Sequence, residues 1–88
     1  MVVRIPPQSK FTLSILSKDR SIYNGEVAAV TSYNDDGIFD ILSGHANFIS
    51  LIKNQIIIYK RDQSEEKISI EKGVLKVRDN QVDIYVVV

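Results

Sequence analysis

The chain has 88 residues, with 11 Lys or Arg, 11 Asp or Glu and no cysteine, so its formal net charge is zero at pH 7. This length allows one small domain with a single core. Balanced charge argues against a nucleic-acid-binding module, which would carry a basic stripe, and against electrostatic docking on a membrane surface. Without cysteine, neither a disulfide nor a thiolate metal site can form.

No apolar stretch approaches the roughly 20 residues of a membrane-spanning helix. Residues 1–7 also lack the apolar core of a secretion signal. We therefore expect a soluble, intracellular protein that inserts no segment into lipid. Ile and Val together number 23, against 5 Leu and 3 Ala. Because branching at Cβ favours a pleated surface over a helix, this composition predicts an all-β domain.

The first predicted strand follows a polar lead-in over residues 1–10, where Pro6-Pro7 disfavours both a helix and a central strand. Residues 11–88 are expected to form one domain. Apolar and polar residues alternate at its start, which predicts a half-buried strand with one apolar face made of Phe11, Leu13 and Ile15.

The second predicted strand runs from Ile22 to about Ser32, after a turn at residues 18–21. It contains Asn24-Gly25, a common hairpin dipeptide. A hairpin there would leave a strand of only two or three residues before it. We therefore expect Gly25 to mark a bulge or a bend inside one continuous strand.

The central part of the chain is predicted to contain a turn, a short strand and an ambiguous segment. The sequence Asn-Asp-Asp-Gly at residues 34–37 predicts a turn in which Gly37 takes a positive φ. A short strand over residues 38–42 is ended by Ser43-Gly44. Residues 45–53 fit the spacing of a helix as well as that of a buried strand.

The last third of the chain supplies the remaining strands. Residues 56–59 are apolar throughout, as in a strand covered on both faces, and a charged loop follows at residues 61–66. Further strands are predicted at residues 68–71, 74–77 and 82–88, with a bend at Gly73 and a turn at Asp79-Asn80. About eight strands at intervals of 8–12 residues are typical of a sandwich or barrel.

Candidate catalytic and metal-binding groups are few. Ser43 lies two residues from His45, but such neighbours on an extended turn rarely point at each other. Three nearby aspartates lack the spaced ligands and the closing Glu of a calcium loop: Asp35, Asp36 and Asp40. The four glycines are scattered one per turn and form no phosphate-binding loop. We expect no catalytic residue, no metal and no cofactor.

Three segments carry a more specific pattern: Ile-Tyr-Asn-Gly-Glu-Val at 22–27, Asp-Gly-Ile-Phe-Asp-Ile-Leu-Ser-Gly-His-Ala at 36–46, and Glu-Lys-Gly-Val-Leu-Lys-Val at 71–77. Together they resemble the N-terminal β-sandwich domain of the epsilon subunit of F-type ATP synthase, called delta in mitochondria. The resemblance covers residues 11–88 and includes the spacing between segments. Four positions depart from the family's usual residues: Asp40 for Gly, Ser43 and Asn47 for Pro, and Lys72 for the first of two glycines.

The resemblance implies an all-β, two-sheet sandwich of about eight to ten short strands, with residues 45–53 as strand. It also implies a non-catalytic rotor subunit of the central stalk, which links gamma to the c ring and supports ATP synthesis coupled to proton or sodium transport. Such a subunit would lie peripherally on the cytoplasmic side of the inner membrane. Gly25 and Gly73 would have structural roles. The residues that would face the c ring are Asp36, Gly37, Ile38, Ser43, Gly44 and His45.

Family members usually continue into a C-terminal helical hairpin, whereas this sequence stops at Val88, where the sandwich should end. Either the protein naturally lacks the hairpin or the sequence is a truncated one. The alternative function is that of an unrelated small β-sandwich adaptor that binds a peptide or a glycan. An adaptor would have one concave groove, whereas a rotor subunit would have two flat binding faces.

Two further expectations concern surfaces. By the resemblance, Asp36 and His45 should lie on neighbouring loops at one end of the molecule. The last strand is apolar on both faces, because Tyr85 and Val87 alternate with Val82, Ile84, Val86 and Val88. If uncovered, Tyr85 and Val87 would form an apolar patch beside a free strand edge, so we expect the isolated chain to self-associate through residues 82–88.

Overall fold

The computed structural model describes residues 5–88, which form seven strands and no helix. The all-β expectation is therefore confirmed, with seven strands instead of eight to ten. The first four residues of the predicted lead-in lie outside the described residues. The strands are β1 (Phe11–Ser17), β2 (Ser21–Val27), β3 (Ala29–Asn34), β4 (Gly37–Leu42), β5 (Phe48–Tyr59), β6 (Glu65–Arg78) and β7 (Gln81–Val87).

Hydrogen bonds join the strands into one sheet in the order β2-β1-β7-β6-β5-β3-β4. Neighbouring strands run antiparallel, except that β1 and β7 pair in parallel, with Thr12 opposite Gln81 and Ser17 opposite Val86. β7 therefore has a hydrogen-bonded partner on each side. The expectation of a free strand edge beside β7 is therefore wrong, because the edges of the sheet are β2 and β4.

The sheet folds over on itself into two layers. In a flat sheet β1 and β4 would be about 24 Å apart, at ~4.8 Å per strand. Leu13 of β1 and Ile41 of β4 nevertheless belong to one buried cluster. One layer holds β2, β1, β7 and the adjoining halves of β6 and β5, and the other holds the remaining halves with β3 and β4. The expected sandwich is confirmed, with one sheet wrapping around both layers.

The two layers are joined where the long strands β5 and β6 bend. Lys53 lies opposite Lys72 and Asn54 opposite Ile70, so Glu71 is left unmatched. A bulge of this kind bends a strand pair and increases its twist. The strands predicted separately at 45–53 and 56–59 are consequently one strand, β5. Those predicted at 68–71 and 74–77 are likewise one strand, β6.

The second predicted strand is in fact two strands. β2 pairs with β1, whereas β3 pairs with β4 and β5, and Ala28 lies between them. The chain crosses from one layer to the other at this point, which ends β2. The bulge expected at Gly25 does not occur there, because Gly25 lies opposite Leu13 in regular register. The irregularity between β1 and β2 leaves Ile22 unmatched instead.

The predicted turns lie where the sequence indicates. Gly37 has a φ of 118°, and the Asn34 side chain accepts a hydrogen bond from the Asp36 N–H at 2.9 Å. Asp79 and Asn80 both have positive φ, 50° and 61°, in the two-residue turn between β6 and β7. This left-handed geometry matches the twist of a hairpin. Both turns are thus set by local chemistry.

The core lies between the layers and takes side chains from all seven strands. The largest fully buried side chains are Leu13, Ile15, Ile41, Ile56, Ile58, Leu75 and Ile84. In β7, Val82, Ile84 and Val86 point inward as expected, whereas Val88 is exposed. Close packing of branched side chains between two hydrogen-bonded layers makes the domain a rigid body.

Candidate binding surfaces

One end of the sandwich carries an acidic turn, the acidic end, formed by residues 34–38. Asp35 and Asp36 lie at the tip of the β3–β4 hairpin and are exposed, as is Ile38. Lys53 Nζ lies 3.0 Å from Asp35 Oδ1 in an exposed ion pair. The Asp36 carboxylate is therefore the more available of the two for a cationic partner.

The other end, the Gly44 end, is formed by residues 43–47 together with Asp79-Asn80. The Gly44 N–H donates to Asn80 Oδ1 at 2.8 Å, and the Asp79 N–H donates to Asn47 Oδ1 at 3.3 Å. These two bonds hold the loop between β4 and β5 against the β6–β7 turn. Gly44 has a φ of 79°, a left-handed conformation that glycine adopts readily.

His45 is bound locally at this end. Its Nδ1 lies 2.7 Å from the Ala46 carbonyl oxygen, which can only accept, so Nδ1–H is the donor. The imidazole also packs edge-on against Phe48, at 5.5 Å between ring centroids. This arrangement orders the loop and leaves Nε2 as the one ring atom available to another molecule. A Ser43–His45 dyad is not supported by these contacts.

The structure does not bring the six expected ring-facing residues together. Asp36 directly precedes β4 and Gly37 and Ile38 begin it, whereas Ser43, Gly44 and His45 follow its last residue. The six steps along the chain from Asp36 to Leu42, the last residue of β4, span about 20 Å at ~3.3 Å per residue. The expectation that Asp36 and His45 share one end of the molecule is therefore wrong, because β4 is fully extended between them.

A third surface is the outer face of the layer that contains β1 and β7. Cross-strand register aligns Leu51, Val74, Tyr85 and Leu16 in one line across β5, β6, β7 and β1. We call these four residues the apolar row. It borders an open groove whose flanks include Lys18 and Lys72. The expected apolar patch around Tyr85 and Val87 therefore exists and is wider than β7 alone.

Two of the three aspartates considered as a cation site are engaged by other side chains. The buried Thr31 hydroxyl donates to Asp40 Oδ1 at 2.5 Å, which accounts for an aspartate inside β4. Asp40 and Asp35 are thus committed to Thr31 and Lys53. Across residues 5–88, no group of three or more His, Cys, Asp or Glu side chains could hold a metal ion. Nor does that part of the chain contain a helix able to span a membrane.

Ser9 is a structural residue that no sequence pattern indicated. Its side chain is buried, its hydroxyl donates to the Ala28 carbonyl at 2.7 Å, and it accepts from the Ser43 N–H at 3.1 Å. Ser9 thereby ties the lead-in to both the β2–β3 crossing and the Gly44 end. Its partners lie 19 and 34 residues away along the chain, so no local pattern could identify it.

These features define the class: a rigid all-β domain whose loops and outer face are suited to binding other macromolecules. The sequence places it more narrowly. The family model for the β-sandwich domain of the ATP synthase Delta/Epsilon chain matches residues 10–87. The chain therefore belongs to this family, which confirms the resemblance inferred from its motifs and removes the alternative of an unrelated adaptor.

Individual relatives agree. The ATP synthase epsilon chain of Sulfurimonas denitrificans is 38% identical over 79 residues, which cover 89% of this chain and 61% of the relative. That of Campylobacter jejuni subsp. doylei is 36% identical over 76 residues, 85% of this chain and 59% of the relative. The chain thus spans about three fifths of the length of these curated relatives.

Two solved structures share the fold. A chain of the Euglena gracilis mitochondrial ATP synthase (OSCP/F1/c-ring, rotational state 1) has a TM-score of 0.85 and 24% identity, covering 98% of this chain and 54% of that one. A chain of the Tetrahymena thermophila mitochondrial ATP synthase central stalk and c-ring has a TM-score of 0.76 and 12% identity, covering 88% and 63%. At these identities the likeness concerns the fold.

Proposed function

We propose that the chain is a non-catalytic coupling subunit in the central stalk of an F-type ATP synthase. It binds the gamma subunit and the c ring, and so helps transmit the torque generated by proton or sodium transport. The complex holds it peripherally on the cytoplasmic side of the inner membrane. Membership of the Delta/Epsilon family supports this proposal.

The observation that carries the proposal is the separation of the acidic end from the Gly44 end by the whole length of β4. A link between two partners needs two distant contacts on a body that does not bend between them. The two layers supply such a body, since the core packs residues from both against each other.

Only one of the two ends can meet a flat ring. We assign the c ring to the acidic end, because the exposed Asp36 carboxylate can pair with a cationic side chain in a polar ring loop. An exposed ion pair is worth at most about 1 kcal/mol, so this contact fixes orientation more than affinity. We assign gamma to the Gly44 end, whose loop is held by the side chains of Asn47 and Asn80.

The experiment measures binding of the chain to the purified gamma subunit and to the detergent-solubilised c ring of its own enzyme. We expect Asp36→Lys to weaken ring binding about fivefold, as loss of about 1 kcal/mol implies. Gamma binding should not change. The matched control is Glu65→Lys, which also reverses an exposed charge. Glu65 is aligned across the sheet with Leu42, the last residue of β4, and so lies at the end opposite Asp36.

Failure to bind either partner would overturn the proposal as a whole. If Glu65→Lys weakened ring binding and Asp36→Lys did not, the assignment of ends would be reversed. Equal effects of both variants would show that the ring responds to net charge and not to one end.

A further inference from the structure

The geometry points to a second copy of this chain as the molecule that covers the apolar row in the free protein. We propose that two copies pair face to face through the outer face of β5, β6, β7 and β1. The pair is symmetric about an axis parallel to the strands, between β6 and β7. This inference concerns the chain before assembly and does not rest on the proposed stalk function.

The apolar row is unusually exposed for its composition. Leu51 is 75% exposed, Tyr85 58% and Val74 40%, and the neighbouring Val87 is 45% exposed. The row crosses four strands, about 14 Å at ~4.8 Å per strand. The chain has zero formal net charge, so no long-range repulsion keeps copies apart.

The proposed axis makes the row self-complementary. It places β6 of one copy on β7 of the other, and β5 on β1. Val74 of each copy then meets Tyr85 of the other, and Leu51 meets Leu16. Both kinds of contact are apolar, and each occurs twice, so the row makes four contacts in all.

The adjacent cross-strand row carries the charge complementarity. It consists of Ile49, Lys76, Asp83 and Ser14, in the same strand order as the apolar row. Under the proposed axis, Lys76 of each copy faces Asp83 of the other, which gives two reciprocal ion pairs. An axis along the row would instead set Lys76 against Lys72, so the charges select the first arrangement.

One corner brings like charges together, because Lys53 of one copy approaches Lys18 of the other. Lys53 is already paired with Asp35 at 3.0 Å within its own chain. Packed sheets also cross at about 30° because each is twisted, which lifts the corners apart while the centre stays in contact. This corner therefore does not oppose the central contacts.

The size of the face sets the strength of the pair. Four strands and three cross-strand rows are smaller than the ~800 Å² per partner of a standard stable interface. The pair should therefore be weak and reversible, so that a larger partner can displace the second copy.

The test is sedimentation velocity of the chain from about 5 to 500 µM. We expect a concentration-dependent shift from 10.0 kDa to twice that mass. Tyr85→Lys should abolish the shift. The matched control, Ser69→Lys on the exposed face of β6 in the other layer, should leave the shift intact. Circular dichroism of both variants checks that they fold.

A charge exchange tests the symmetry. Lys76→Asp and Asp83→Lys should each reduce the association constant several-fold, and the double exchange should restore it.

A chain that remains monomeric at 500 µM would overturn the proposal. So would a dimer that persists in Tyr85→Lys, or one that the double exchange fails to restore. A Tyr85→Lys variant that loses gamma binding while the parent never dimerises would assign the row to gamma. Asp36 lies at the acidic end, away from the apolar row. The effect of Asp36→Lys on ring binding therefore tests the proposed function independently of whether the chain dimerises.

Discussion

At the scale of single residues, Gly25 and Gly73 both lie inside strands but differ in their surroundings. A Cβ built on Gly73 would lie 2.7 Å from the Tyr85 carbonyl oxygen, which is backbone and cannot rotate away. A Cβ on Gly25 would lie no closer than 3.7 Å to the Tyr23 ring. Neither glycine has a positive φ. The difference is therefore one of space between β6 and β7.

We predict that Gly73→Ala lowers the free energy of unfolding by about 1–3 kcal/mol, the usual cost of overpacking. Gly25→Ala should change it by less than ~1 kcal/mol and can raise it, because alanine reduces the freedom of the unfolded chain. Urea titrations of the two variants provide the comparison. A Gly25→Ala variant as unstable as Gly73→Ala would show that loss of glycine itself, and not the contact with Tyr85, is responsible.

Asp62 supplies a residue-scale prediction of pH dependence. Ser64 donates to Asp62 Oδ1 from its hydroxyl at 2.5 Å and from its N–H at 2.9 Å. These bonds hold the pKa of the Asp62 carboxyl below its ordinary value. The folded state thus favours the carboxylate, so the turn is fully stabilised above the ordinary Asp pKa. That stabilisation disappears as the pH falls through the lowered, folded-state value.

We expect Ser64→Ala to raise the pKa of Asp62 towards the ordinary value, because it removes the hydroxyl donor and keeps the N–H. Carboxyl titration followed by NMR measures this directly. An unchanged Asp62 midpoint would mean that the hydroxyl bond does not persist in solution.

At the scale of strands and turns, the bend in β5 depends on Asn54, whose φ is 73°. Asparagine tolerates this left-handed region, glycine does so freely, and a β-branched residue does not. We predict that Asn54→Val destabilises the fold by about 1–3 kcal/mol. Asn54→Gly should be close to neutral. Thermal unfolding distinguishes them, and equal losses would indicate that the Asn54 side chain, not its backbone conformation, matters.

The sequence predicted those strands and turns whose cause is local. Alternation identified the buried face of β1, and Asn-Asp-Asp-Gly and Asp79-Asn80 identified two turns. The second predicted strand was wrong because Ala28 continues an apolar run, while the break there comes from a change of hydrogen-bonding partner. β5 and β6 were each predicted as two strands, because a bulge that bends a strand without ending it depends on the opposite strand.

The candidate surfaces show the same limit. The motif around Gly44 and His45 was found by resemblance, yet its grouping with Asp36 failed because β4 extends between them. Asn80 was predicted as a turn residue, but its bond to Gly44 spans 36 residues. Of the apolar row, only Tyr85 was predicted from the sequence, together with the neighbouring Val87. Its other members required the cross-strand register.

At the scale of the whole molecule, stability depends on a small core. A domain of 88 residues has a net stability of about 4–13 kcal/mol at the usual 0.05–0.15 kcal/mol per residue. Leu75 is fully buried in β6, between β7 and β5. We predict that Leu75→Ala costs about 2–5 kcal/mol, a large part of the total.

The matched control is Leu51→Ala, the same change at a side chain that is 75% exposed, and it should cost less than ~0.5 kcal/mol. Denaturant unfolding at a few micromolar keeps the measurement below any self-association. Comparable losses in both variants would mean that Leu51 is covered in solution at that concentration.

The parallel pairing of β1 with β7 governs when the protein can fold during its synthesis. The first strand leaves the ribosome without a neighbour on that side, and its partner follows only after about sixty more residues. At 5–20 residues per second, roughly 3–12 s of translation separate the two strands. Throughout that interval β1 has at most β2 beside it, and a lone hairpin is barely stable in water. The parallel ladder between β1 and β7, and with it the complete sheet, therefore forms only after β7 has left the ribosome.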